Sequence, residues 1–157
     1  MYNKILVPLD GSEVAEGVVQ FIQELAVPPA EVVFLRVALP VEHDIVGESG
    51  RIIPIWEQSV SLETNYEHYL RRVGASLRRR GVKVTTEVRF GKAAQEIITA
   101  ARAHHADLIA ITSHGRRGLG RFIHGSVTAA VLREAAVPVM VLNASKAVAT
   151  AKVATAA

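Results

Sequence analysis

The sequence predicts an α/β domain in which five parallel strands, ordered 3-2-1-4-5, carry helices on both faces of one sheet. Two observations lead there. Short apolar runs alternate with segments whose apolar residues recur at helical spacing, which is the pattern of strand–helix–strand units. The chain has 157 residues, 50 % of them apolar, which is enough for one domain with a proper core and too apolar for disorder.

Each element follows in order. Tyr2 to Leu9 reads as a buried first strand. Ser12 is placed to cap a helix, and Glu13 and Glu16 occupy its first turn, where the helix dipole favours negative charge. Val14, Val18, Phe21, Ile22 and Leu25 share one face of that helix, and Pro28-Pro29 ends it. Val32 to Val37 is the second strand. Residues 38 to 58 contain Pro40, Gly47, Gly50 and Pro54 and read as a long irregular connection. Tyr66, Leu70, Val73 and Leu77 mark a helix ending at Gly81. Val82 to Val88 alternates as the third strand, and a helix from Ala93 to His104 turns Ile97, Ile98 and Ala101 inward. Leu108 to Thr112 is the fourth strand. Ser126 to Ala135 is a short helix with Val127 and Val131 on its buried face. Val137 to Leu142 is the last strand and the expected sheet edge. The domain therefore spans residues 1–143, followed by an Ala-rich tail over 144–157.

Composition narrows the function. No apolar run approaches the roughly 20 residues of a membrane span. Asp10 and Gly11 cut the first apolar stretch short of a signal peptide. A chain without cysteine has no disulfide, thiol nucleophile or thiolate metal ligand. A soluble cytoplasmic protein without membrane contact is expected. The net charge of +3 and a pI near 9.5 suit an anionic ligand without demanding nucleic acid. Arg78-Arg79-Arg80 closes a helix, where cations suit the dipole, and no aromatic residues are interleaved with it as a nucleic-acid surface would need. His104-His105 with Asp107, and Glu42-His43-Asp44, read as surface polar clusters, because ligand spacing alone is uninformative. His114 has no visible nucleophile or carboxylate partner, and no triad or paired-acid arrangement stands out.

The chemistry concentrates in Thr112-Ser113-His114-Gly115-Arg116-Arg117-Gly118-Leu119-Gly120-Arg121-Phe122-Ile123-His124-Gly125-Ser126. A glycine-rich turn leaving a strand, then Gly-Ser opening a helix, is a geometry that holds phosphate. Glycine lets backbone N–H groups approach an anion, and the helix N-terminus adds unpaired donors and the positive end of its dipole. Gly120, four residues, Gly125 and Ser126 approximate a Walker loop, but the lysine before the serine is missing. Gly118-Leu119-Gly120 begins a dinucleotide fingerprint, but Ile123 stands where its third glycine belongs. The pattern that fits is Gly-x2-Gly-x9-Gly-Ser, with Gly115, Gly125 and Ser126 matching and Thr112 in place of the first glycine.

With this pattern, and with Ile5-Leu6-Val7-Pro8-Leu9-Asp10-Gly11-Ser12 at the start and Val137-Pro138-Val139-Met140-Val141-Leu142 at the end, the chain resembles the universal stress protein family. The resemblance implies a small Rossmann-like fold, related to the adenine nucleotide alpha hydrolases and usually found as a homodimer. It also implies two branches, one of which binds ATP through this glycine pattern. The expectation is an ATP-binding regulator whose nucleotide, with Mg²⁺ carried on the phosphates, biases conformation or contacts with a regulatory protein partner. A homodimer through the last strand is expected, the alternative being a monomer whose sheet edge is masked by the tail from Ala144 to Ala157. No base or water-positioning residue is identifiable, so any ATP hydrolysis should be slow and no enzyme is assigned. Two rivals remain: a dimeric interaction module of the same fold that binds no nucleotide, and a pyrophosphatase-like enzyme. The second expects a Ser-Gly-Gly-type loop where this chain has Pro8-Leu9-Asp10-Gly11-Ser12.

The expected nucleotide site comprises Pro8, Leu9, Asp10, Val37, Thr112, Gly115, Arg116, Gly118, Gly125, Ser126 and Val127. It lies at the carboxyl ends of the strands where the strand order reverses, flanked by the turns after strands one and four. Asp10 meets either a ribose hydroxyl or a phosphate-borne metal, or else bonds its own turn. Pro8 either offers an apolar edge to a base or ends the strand. Val37 resembles the position whose backbone meets adenine, and is otherwise core. Gly115 turns the loop, and Gly125 and Ser126 admit and bind phosphate unless they form an ordinary turn and cap. Thr112 is tolerated if the position needs a small side chain, and poorly tolerated if it needs positive φ. Arg116, Arg117 and Arg121 either pair with the outer phosphates or are solvated loop charges. Gly118 and Gly120 lend the loop flexibility.

Overall fold

The computed structural model describes residues 2–113, 125–143 and 152–154. In chain order its elements are β1 (Lys4–Pro8), α1 (Glu13–Glu16), α2 (Val18–Leu25), β2 (Glu31–Ala38), β3 (Ile45–Val46), β4 (Ile52–Ile53), α3 (Ile55–Val73) and α4 (Ala75–Arg79). They continue with β5 (Lys83–Phe90), α5 (Ala93–Ala103), β6 (Leu108–Ser113), α6 (Ser126–Glu134), β7 (Val139–Asn143) and β8 (Lys152–Ala154).

The sheet runs β5-β2-β1-β6-β7-β8, and its first five strands are parallel. With the separate β3–β4 hairpin set aside, those five strands follow the expected 3-2-1-4-5 order. Alternation along each strand feeds two core layers. Ile5, Val7, Val32 and Phe34 pack with Val18 and Ile22 of α2, Leu70 of α3 and Leu77 of α4. Leu6, Val33 and Leu35 face the other way, onto Ile97 and Ala101 of α5 and Val131 of α6. Both faces are covered, as the unbroken apolar character of the central strands requires.

The structure corrects the sequence reading in five places. The first helix is two, α1 and α2, joined at Gly17, and Val14 is exposed rather than on the buried face. The connection over residues 38 to 58 is not irregular throughout. It holds the β3–β4 hairpin, and α3 already begins at Ile55, after Pro54, with the Ile55 N–H donating to the Asp44 carboxylate at 2.9 Å. The helix also divides at Gly74, where a Cβ would lie 2.9 Å from Val84 and 3.3 Å from Phe34, so the close approach of helix and sheet requires glycine. In α6 Val127 is exposed, and Thr128 rather than Val127 joins Val131 in the interior. Finally, β7 is not the sheet edge, because β8 from the tail pairs antiparallel with it, Val139↔Ala154 through Val141↔Lys152. A strand of unpaired backbone groups accepts whatever extended segment reaches it, and here the chain's own tail does so.

Candidate functional site

The carboxyl end of β1 lies between β2 and β6, so it is the point where the strand order reverses. The turn after it is built by short local bonds. Gly11 takes φ of +84°, which glycine accepts without strain. Asp10 Oδ1 accepts from the Ser12 N–H at 2.9 Å and from the Ser12 hydroxyl at 2.6 Å. Ser12 Oγ in turn accepts from the Ala15 N–H at 3.1 Å and caps α1, as expected. Below the turn, the Leu9 N–H donates to the Leu35 carbonyl at 2.8 Å. The Arg36 guanidinium donates to the Leu9 carbonyl at 3.3 Å and lies 4.7 Å over the Tyr66 ring. Nearby, the Tyr69 phenol is pushed up to about 12, first by burial and then by the Glu16 carboxylate, with Arg36 acting against the shift and Asp10 adding to it.

Above this turn opens a cleft of about 240 Å³. Pro8, Leu9, Asp10, Val37, Thr112, Gly125, Ser126 and Val127 all line it. Eight of the sequence-predicted site residues, from four different stretches of the chain, therefore meet around one space. Gly115, Arg116 and Gly118 lie outside the described residues, as do Arg117, Gly120 and Arg121. The cleft has two chemically distinct walls. On the β2 and α5 side stand Leu35, Val37, Ala93 and Ile97, an apolar wall. On the β6 and α6 side stand the polar Thr112, Ser126 and Thr128 with Gly125 and the apolar Ile111 and Val127, and Asp10 follows β1, the strand between β2 and β6.

Three local results bear on the residues that were in doubt. Thr112 sits in regular parallel pairing with Leu142, and among the described residues only His105 is a non-glycine with positive φ. A β-branched residue suits such a strand, so threonine is no obstacle to the backbone here. Gly125, not Ser126, is the N-cap of α6, with φ of −54°. Its carbonyl accepts the first helical bond from the Ala129 N–H at 2.9 Å, and a Cβ placed on it would meet nothing within 4 Å. Ser126 is the first helical residue and is exposed. Asp10 bonds its own turn, and the same residue lines the cleft.

Ala15, Leu35, Ala93, Ile97, Ile111 and Thr128 line the cleft without having been singled out as site residues. The available signal was periodicity: Leu35 and Val37 share a strand face, and Ala93 and Ile97 are one helical turn apart. A second cavity, of about 440 Å³, lies between α5 and the segment after α6, with Arg102 and His105 at an otherwise apolar lining. It gathers none of the predicted site residues.

A parallel sheet, covered on both faces and open in a cleft beside its central strand's carboxyl end, defines a doubly wound α/β domain with a switch-point site. The sequence profile of the universal stress protein family matches residues 1–143, and the chain belongs to that family. It is 30 % identical over 151 residues to universal stress protein MJ0531 of Methanocaldococcus jannaschii, covering 93 % of this chain and 85 % of that protein. The solved structure of MJ0577 from the same organism superposes with a TM-score of 0.73 at 29 % identity, over 91 % of this chain and 96 % of that one. A universal stress protein family member of Arabidopsis thaliana, solved with AMP bound, has a TM-score of 0.63 at 16 % identity, over 90 % of this chain and 91 % of that one. At that identity the likeness bears on the fold alone.

Proposed function

We propose that this protein is a cytoplasmic ATP-binding regulator of the universal stress protein family. The observation that carries the proposal is the two-walled cleft. An apolar wall of Leu35, Val37, Ala93 and Ile97 suits a planar base, and the opposite wall presents the first turn of α6 from Gly125 to Thr128, where backbone donors and the helix dipole favour phosphate. Asp10, following β1, is the carboxylate within reach of a ribose hydroxyl or of Mg²⁺ carried on the phosphates. The nucleotide acts as a conformational ligand: it shifts the protein toward whichever state it binds better, and partner contacts follow. Saturating MgATP, at one hundred times its dissociation constant, should add about 2.7 kcal/mol of stability. A melting temperature unmoved by millimolar MgATP, with no heat in a calorimetric titration, removes the assignment.

The reading includes a homodimer along β7. Val139 and Val141 point into the core, so such an interface rests on backbone pairing and requires β8 to yield its place. Deleting residues 144–157 should raise the dimer fraction in sedimentation. An unchanged monomer after deletion places self-association elsewhere.

A further inference from the structure

Six of the exposed large apolar side chains fall within 16 residues: Ile45, Val46, Ile52, Ile55, Trp56 and Val60. They belong to the β3–β4 hairpin and the first turns of α3. Val46 and Ile52 are opposite each other in the hairpin and are 71 % and 63 % exposed. Trp56, the chain's single tryptophan, is 67 % exposed and stands one helical turn before Val60. The hairpin is fastened to the helix: Asp44 caps Ile55, and Gln58 Nε2 donates to the His43 carbonyl at 3.0 Å and to the Ile53 carbonyl at 2.9 Å. The hairpin and the start of α3 are therefore fastened to each other, with Val46 and Ile52 on one hairpin face and Ile45 on the other. None of the six lines the nucleotide cleft.

Charge sets this region apart. Residues 39–63 carry Glu42, Asp44, Glu48, Glu57 and Glu63 against Arg51 alone, a net charge of −4 in a chain of +3, so the remainder carries +7. Arg51 is engaged by Glu57, and the His43 ring lies 4.0 Å from Glu42. The surface is thus apolar within an acidic surround, on a protein that is otherwise basic.

We propose that the β3–β4 hairpin and the amino-terminal turns of α3 form the docking surface for a cationic amphipathic helix of a partner protein. Grouped exposed apolar side chains mark interaction surfaces, and tryptophan is the residue most enriched where binding energy concentrates. The acidic surround selects the partner's sign. It repels an anionic membrane, and it opposes a second copy, because a two-fold axis through this surface would set acid against acid. The hairpin strands, two residues each, are too short to template an added strand, so the partner must present a side-chain face. A helix with an apolar stripe flanked by Lys and Arg provides that face. This inference does not rest on nucleotide binding.

Trp56 makes the test direct, because no other tryptophan contributes to the emission. The probe is a tryptophan-free Leu/Lys peptide of about 18 residues patterned as an amphipathic helix. Titrated into the full chain, it should move the Trp56 emission to shorter wavelength and saturate at one peptide per protein. A Leu/Lys peptide of scrambled pattern and a Leu/Glu amphipathic peptide should leave the emission unchanged. Ile52→Lys with Val60→Lys should abolish the shift, and Glu48→Lys with Glu63→Lys should weaken binding at least tenfold, all four positions being exposed and the melting temperature unchanged. No shift with the patterned Leu/Lys peptide, or an equal shift with the Leu/Glu peptide, overturns the proposal. A shift that appears without peptide as protein concentration rises, with doubled mass, also overturns it and assigns the surface to a second copy.

Discussion

The two ends of the sheet are finished differently. At the amino ends of the central strands, polar groups are satisfied within the chain. Asp107 accepts from the Asn3 N–H at 2.7 Å and the Lys4 N–H at 3.0 Å, tying the entry of β6 to that of β1. Glu31 takes Lys4 at 3.2 Å, Lys83 at 3.1 Å and the Thr85 hydroxyl at 2.9 Å, bridging β1, β2 and β5. At the carboxyl ends, β1 and β6 lead instead into a cleft, and α6 begins there on a glycine that brings no side chain of its own. One end of the fold holds the strands together, and the other leaves room for a ligand. Strand dipoles alone do not produce this difference. It comes from where the sequence places Asp107 and Glu31, and where it places Gly125.

The largest effect should come from filling the open end. Gly125→Val should reduce MgATP affinity at least a hundredfold, about 2.7 kcal/mol. In the proposed site the branched side chain would enter the space that phosphate needs. The protein should stay folded, because φ of −54° suits any residue and the added Cβ meets nothing within 4 Å. Calorimetry and circular dichroism on the same sample separate the two outcomes, and wild-type affinity in the variant would move the phosphate site away from α6.

The next prediction contrasts two serines at helix starts. Ser12→Ala removes the cap on Ala15 and should cost about 1 kcal/mol, or about 3 °C in melting temperature. Ser126→Ala removes an exposed hydroxyl at the cleft and should leave the melting temperature of the ligand-free protein unchanged, while weakening MgATP about tenfold. Equal losses of stability in the two variants would erase the distinction between a structural and a ligand-facing helix start.

The smallest effect tests the closed end. Burial opposes ionisation of Glu31, but hydrogen bonds from Thr85, Lys83 and Lys4 more than offset it and hold the carboxyl below its ordinary value of 4.5. A carboxylate with a lowered folded pKa stabilises above its unfolded pKa, and that contribution is lost as pH falls through the folded value. The wild-type melting temperature should therefore drop more steeply below pH 4.5 than that of Glu31→Gln, and MgATP affinity at neutral pH should match in the two proteins. Superimposable melting profiles would show that Glu31 does not hold this end.

Much of this contrast is legible in the residues themselves. Apolar runs such as Ile5-Leu6-Val7 and Leu108-Ile109-Ala110-Ile111 announce buried parallel strands, and Asp10, Thr112, Gly125 and Ser126 announce the switch-point cleft. What was hidden has physical causes. The first turns of α3 lack a core-facing stripe because Ile55, Trp56 and Val60 are exposed, so the helical period becomes visible only near Tyr66. β8 is three residues in an Ala-rich stretch, too short to show alternation. Leu35 and Ile97 are apolar whether they fill a core or wall a cleft, and periodicity does not distinguish the two. The roles of Asp107 and Glu31 were not legible, because their partners lie up to 104 residues away and meet them only through the sheet.

The proposed function requires that the carboxyl end of the sheet, and not its amino end, take the nucleotide. Amide chemical shifts of the full chain during an MgATP titration test it most directly. Saturating shifts are expected at Leu9, Asp10, Val37 and Gly125 to Thr128, with Asn3, Lys4 and Glu31 unmoved. Shifts confined to the amino end, or none at saturating MgATP, would contradict it.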